Sequence, residues 1–175
     1  VLTGVSLVIG YALLGATWLN MKTEGRIQER ARRLAFWFAG GMFIAIVAVS
    51  AATPFLDATY SRRWFAWPGV LLSAQVPILV TINAVLLFIS LRARGEYAPF
   101  LLTLGLFALG GVGLAISIFP YVIPGQITIW DAAAPAASLS FMLIGALILI
   151  PIILAYTTYA YWVFRGKVKD DGYHA

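Results

Sequence analysis

Five stretches of this chain contain no Asp, Glu, Lys or Arg: Val1–Met21, Leu34–Leu56, Trp64–Leu91, Tyr97–Trp130 and Ala132–Phe164. Each is long enough to cross a bilayer, for which a helix needs about 20 apolar residues. A chain patterned this way cannot present an ordinary water-facing surface. Only 11% of its 175 residues are charged, against about 25% in a typical soluble domain. Disorder is excluded by the opposite property, a hydrophobic content of 62%. The fold class expected is an all-α, polytopic transmembrane helix bundle with about five spans, at 2–20, 34–53, 69–91, 98–119 and 139–164.

The boundaries carry their own chemistry. Pro54 follows the second span, Pro68 precedes the third, and Pro99 falls in a first turn, where the missing N–H costs little. All six tryptophans, Trp18, Trp37, Trp64, Trp67, Trp130 and Trp162, lie close to an end of a charge-free run. An indole ring prefers the headgroup layer, where its ring is buried and its N–H is wet. The run Pro120–Pro135, with Pro124 and Gly125 between, reads as a structured loop rather than a helix.

Lysine and arginine set the orientation. Lys22–Arg33, Arg92–Glu96 and the tail after Phe164 hold all but two of the 12; Arg62 and Arg63 are the others. Cytoplasmic loops accumulate these residues, so the first and third connections and the C-terminus are expected in the cytoplasm. Attraction to anionic headgroups accounts for the basic segment Lys22–Arg33. A nucleic-acid partner is not expected, because no basic readout motif accompanies the net charge of +5.

Candidate chemistry is sparse. There is no cysteine, and the single histidine, His174, lies in the polar tail. Haem ligation inside a membrane usually needs His or Met; Met42 and Met142 sit on apolar helices and read as packing. No ionisable group lies within a span, so no proton relay is expected. Gln75 and Asn83, eight residues apart on the third span, are its strongest polar groups. They suit an interhelical hydrogen bond, with a polar lining for a quinone, solute or water file as the other reading. Gly105, Gly110, Gly111 and Gly113 on the fourth span suit close helix approach. Pro77 and Pro151 should kink the third and fifth spans. Asp131, the only charge between Tyr97 and Phe164, reads either as a turn or cap carboxylate or as an interface anchor or a polar group near a redox site, with Trp130 beside it. Val1 opens inside an apolar run with no basic segment ahead of it, so it is not a signal peptide, and the simplest expectation is a fragment lacking its N-terminal part.

Gly10–Leu19 with Lys22–Gly25; Arg63–Pro68; Pro120–Pro124 leading into Thr128–Pro135; and Leu149–Val168 are four segments that together resemble subunit II of the cytochrome bd-type quinol oxidases. Their order and spacing match along essentially the whole chain. The short Pro54–Pro68 connection is more similar to the cyanide-insensitive branch. Gly69, Gly125 and Gln126 depart from the usual residues.

The resemblance implies a tandem of two four-helix units. Residues 1–33 would hold the last span of the first unit and a cytoplasmic connection, 34–168 the second unit, and 169–175 a tail. It implies a structural, non-catalytic role in an inner-membrane quinol:oxygen oxidoreductase. Haem b and haem d would be held by subunit I, the partner, and none by this chain. The family's acidic proton-delivery residues would lie in the missing first half. Membrane lipid and a small accessory subunit are further partners to test. Interface candidates are Trp130, Asp131, Gln75, Asn83, Gly110, Gly111 and Gly113. A secondary transporter and a membrane scaffold are the rival classes.

Overall fold

A computed structural model of the chain describes residues 2–56, 69–123 and 126–167. The element order is α1 (Leu2–Lys22), α2 (Gly25–Leu56), α3 (Gly69–Arg92), α4 (Ala98–Ile118), a short hairpin β1 (Tyr121–Ile123) and β2 (Ile127–Thr128), and α5 (Ala136–Val163). Five helices among the described residues are long and apolar enough to cross a membrane. The chain is therefore an all-α multi-pass membrane protein.

Two compact units divide it. One comprises Val1–Ser117 with Lys167–Ala175, the other Ile118–Gly166. In the first unit α1 and α2 pack along one another through small side chains. Ala31, Ala35 and Ala39 recur every four residues on α2 and are 4%, 0% and 3% exposed. This spacing stacks them on one face, and their size lets the helix backbones approach closely. The core that Ala35 and Ala39 join contains Leu13 of α1, Val80 and Leu87 of α3, and Leu106 of α4. Gly10 sits where three helices meet. A Cβ there would lie 2.9 Å from Phe107 Cζ and 3.5 Å from Met42 Sδ.

The main departure from the sequence reading is at the start of α2. The charged segment Arg26–Arg33 was expected as a connection; it is helical from Gly25 onward, leaving only Thr23 and Glu24 between α1 and α2. Charge interrupts a hydropathy signal without interrupting a helix, and Arg, Gln, Glu and Ala are all good helix formers. Gln28 and Arg32 fasten this extension to α1 through Asn20. Gly25 makes the turn, with φ of +63°, a region open to glycine at little cost. At its other end α2 continues past Pro54 to Leu56. Pro77 and Pro151 lie inside the continuous helices α3 and α5.

In the second unit the Pro120–Pro135 run forms a two-stranded antiparallel hairpin, with Tyr121 opposite Thr128 and Ile123 opposite Ile127. All residues of α5 are at least partly exposed, as suits a helix whose whole perimeter is apolar. The Arg63–Pro68 motif, most of the Pro54–Pro68 connection, Gly125 and the 169–175 tail with His174 lie outside the described residues.

Candidate functional site

The densest polar constellation closes one end of the first unit. Asn20, in the last turn of α1, is fully buried. Its amide Nδ2 donates to the carbonyl oxygens of Gly95 (2.9 Å) and Glu96 (3.3 Å) in the α3–α4 connection. Its Oδ1 accepts from Arg32 Nε at 3.2 Å, and its backbone carbonyl accepts from Gln28 Nε2 at 3.0 Å. One side chain thus ties α1, α2 and the α3–α4 connection together, with every amide donor used. The connection itself is tight: Arg94 has φ of +57°, and a Cβ on Gly95 would stand 2.6 Å from Ser90 Oγ and 3.1 Å from the Ser90 carbonyl oxygen. Sequence reasoning passed over Asn20 because it sits beside the charged segment, where a polar residue needs no explanation.

Glu96 also pairs with Lys167 Nζ at 2.6 Å, and Glu24 lies 4.0 Å from the same ammonium. The hydrogen bond from Lys167 lowers the Glu96 pKa below its ordinary 4.5, and the same bond raises Lys167 above 10.5. Stability from Glu96 is present above pH 4.5 and is lost as pH falls through the lowered value. Stability from Lys167 is present below pH 10.5 and is lost only above its raised value. Between these limits the pair's contribution is level. Replacing Lys167 with Met should therefore lower the thermal midpoint at pH 7, and the difference from wild type should shrink below pH 4.5. Both groups are solvent-accessible, so added salt should shrink it too. A pH-independent difference, measured by thermal unfolding of the full-length protein in detergent, would show that the ion pair is not its source.

Within the membrane-spanning region Asn83 of α3 faces Gly105 of α4. A Cβ on Gly105 would lie 2.5 Å from Asn83 Nδ2, so this glycine makes room for the amide. Asn83 Oδ1 is buried without a hydrogen-bond partner among the described residues. Gly113 similarly fits under Val76, whose Cγ1 would be 3.1 Å from an added Cβ. Gly110 and Gly111 have open space where a Cβ would project. Gln75 is exposed, so α3 does not bring Gln75 and Asn83 to one contact.

In the second unit the hairpin is held by Asp131. Thr128 donates to its Oδ2 from both the hydroxyl (2.5 Å) and the backbone N–H (3.2 Å), and the Asp131 N–H donates back to Thr128 Oγ1 at 3.2 Å. These bonds, the hydroxyl's first, hold the Asp131 carboxyl below its usual range. Trp130, 66% exposed, meets Phe119 edge-on with ring centroids 6.0 Å apart. Trp130 and Asp131 thus belong to one ordered turn with an outward-facing indole.

Haem is the group to test against these residues. The chain has no cysteine, and no cluster of His, Cys, Asp and Glu able to hold a metal occurs among the described residues. Met42 Sδ is packed beside Gly10, and Met142 is 67% exposed. Among the described residues, this donor set does not fit axial ligation of a haem.

The architecture defines a class: a polytopic helical membrane protein whose polar chemistry lies at its helix ends. Residues 1–164 match the family model for cytochrome bd terminal oxidase subunit II, and the chain belongs to that family. It is 26% identical to cytochrome bd ubiquinol oxidase subunit 2 of Bacillus subtilis (strain 168), across 97% of this chain and 50% of that protein. It is 29% identical to cytochrome bd-I ubiquinol oxidase subunit 2 of Escherichia coli (strain K12), across 90% and 49%. A probable cytochrome oxidase subunit 2 from Haemophilus influenzae is 25% identical, across 90% and 49%. The chain spans about half the length of the curated relatives it matches.

Proposed function

We propose that this chain is the later half of subunit II in a membrane-bound quinol:oxygen oxidoreductase, where it acts as a structural partner of subunit I. The observation that carries this reading is the family match over residues 1–164. Its five spans would be the fourth to eighth of the subunit, with α2 to α5 as the second four-helix unit and the Lys22 end in the cytoplasm of a bacterial cell. Quinol oxidation and reduction of oxygen to water, with haem b and haem d, belong to subunit I. Because the donors among the described residues do not fit haem, no redox step is assigned to them. A transporter or a scaffold is not favoured by the family match.

What the chain's own residues do is shape and hold surface. The Asn20 clamp fixes three helix ends, and the Ala31–Ala35–Ala39 face locks α1 to α2. The open strip at Gly110 and Gly111 suits close approach by a helix of another polypeptide. The Trp130–Asp131 turn offers an aromatic anchor of the type enriched at interfaces. Asn83 fits against Gly105 where α3 meets α4, and the exposed Gln75 offers an amide to a helix of another polypeptide.

Co-purification of the full-length protein with its subunit I should give a reduced-minus-oxidised spectrum with b- and d-type haem bands. Full-length subunit II purified alone should give none. A folded, intact complex without haem bands would sink the oxidase reading, and haem bound to subunit II alone would sink the structural role.

A further inference from the structure

The helical extension at the start of α2 has two faces of opposite character. Its inner face, with Gln28, Ala31, Arg32 and Ala35, is fastened to α1 through Asn20 and close packing. Its outer face carries Arg26, Arg30 and Arg33, all exposed. At about 100° per residue, these three and Trp37 fall within about 60° of arc on the helix. Trp37 is 73% exposed, and Ile44, two turns further on the same stripe, is 69% exposed. The stripe therefore reads, in one line, three guanidinium groups, an indole and an aliphatic surface. No hydrogen bond or ion pair engages Arg26, Arg30 or Arg33 among the described residues. Glu29 lies at the edge of the stripe and is the one carboxylate near it.

We propose that this stripe is a binding site for an anionic phospholipid. Charge complementarity and depth select that occupant. Indole marks the headgroup boundary. With a rise of 1.5 Å per residue, Arg33 and Arg30 stand about 6 and 10 Å further out than Trp37, at the level of lipid phosphates. Arg26 lies further still, within about a Debye length of them. Guanidinium binds phosphate oxygens in a bidentate fork, and the acyl chains would run down past Trp37 to Ile44. The inner-face contacts hold the extension helical before any lipid arrives, so little ordering cost remains for binding. This assignment rests on the membrane-spanning helices alone and stands whether or not the protein is an oxidase subunit.

The test uses the full-length protein purified in its native complex, delipidated, then titrated with phosphatidylglycerol or phosphatidylcholine and read by native mass spectrometry. Phosphatidylglycerol should be retained in preference, and salt should weaken it. Each arginine near an anionic surface contributes on the order of fivefold in affinity. Glu29 is common to both proteins and the three losses multiply, so R26Q/R30Q/R33Q should lose on the order of a hundredfold, and R26K/R30K/R33K, which keeps the charge but not the fork, should bind between that variant and wild type. Arg30→Gln alone, which leaves the inner face untouched, should lose about fivefold and serves if the triple variant misfolds. Equal retention of the two lipids, or unchanged binding in folded Gln variants, would overturn the proposal. So would a stoichiometric polypeptide that co-purifies through these arginines and excludes lipid from them.

Discussion

Asn20→Leu should be the most damaging single substitution in the first unit, costing about 2–4 kcal/mol of folded-state stability. The leucine fills similar volume but makes none of the bonds. The carbonyls of Gly95 and Glu96 lose their amide donors, and the half-buried Arg32 loses its Oδ1 acceptor. A bond to a charged group is worth about 1.5–3 kcal/mol and a neutral one about 1 kcal/mol, so Arg32 accounts for much of the loss. Asn20→Asp separates the two contributions. Its carboxylate can still accept from Arg32 but cannot donate to the two carbonyls, so the α3–α4 connection should loosen while the α1–α2 contact persists. Thermal unfolding of the full-length protein in detergent, with hydrogen exchange at residues 93–97 as a local probe, reads both. An unfolding midpoint for Asn20→Leu equal to wild type would show that the clamp is not a stabilising element.

Gly105→Leu is the second large effect expected, at about 2–3 kcal/mol. The first added atom would already stand 2.5 Å from Asn83 Nδ2. Three further carbons must push the amide, and with it α3, away from α4. Asn83 has little to lose at that position, since its Oδ1 has no partner among the described residues. Asn83→Ala should therefore cost well under 1 kcal/mol by itself, in line with the small average worth of polar contacts in membranes. It should also restore most of the stability lost by Gly105→Leu. The double-mutant cycle is the measurement. Additive losses would place the strain elsewhere than at the Asn83–Gly105 contact, and a large loss from Asn83→Ala alone would show that its amide is bonded in the assembled protein.

The spans were legible because the bilayer imposes a single coarse rule on sequence. Leu2–Lys22, Gly69–Arg92 and Ala98–Ile118 end within two residues of where charge, proline and tryptophan placed them. α5 starts three residues earlier than expected, at Ala136, directly after Pro135. The start of α2 was not legible from charge, since Arg26–Arg33 look like a loop by hydropathy and are helical because one face packs. A four-residue alanine repeat was present as a signal, but alanine is common in helices and its meaning depends on a neighbour.

Asn83 stood out as a polar residue in an apolar run. Its match to Gly105 is a contact between helices, which periodicity along one helix cannot give. Asn20 shows the same limit more sharply. Its partners lie 12 and about 75 positions away, and neither distance corresponds to any helical repeat. The Pro120–Pro135 run announced a structured loop, while the hairpin within it depends on the mutual bonds of Thr128 and Asp131.

The two-residue link between α1 and α2 bears on biogenesis. With only Thr23 and Glu24 between Lys22 and Gly25, the two helices stay tethered end to end as they enter the bilayer. During synthesis they would leave the insertion machinery as one antiparallel helical hairpin, with the alanine face closed before α3 emerges. Asn20 would then wait, already beside Arg32, for the Gly95–Glu96 carbonyls to arrive some 75 residues later. The last of its bonds to form would thus report that the third helix has brought the chain back to this end of the unit.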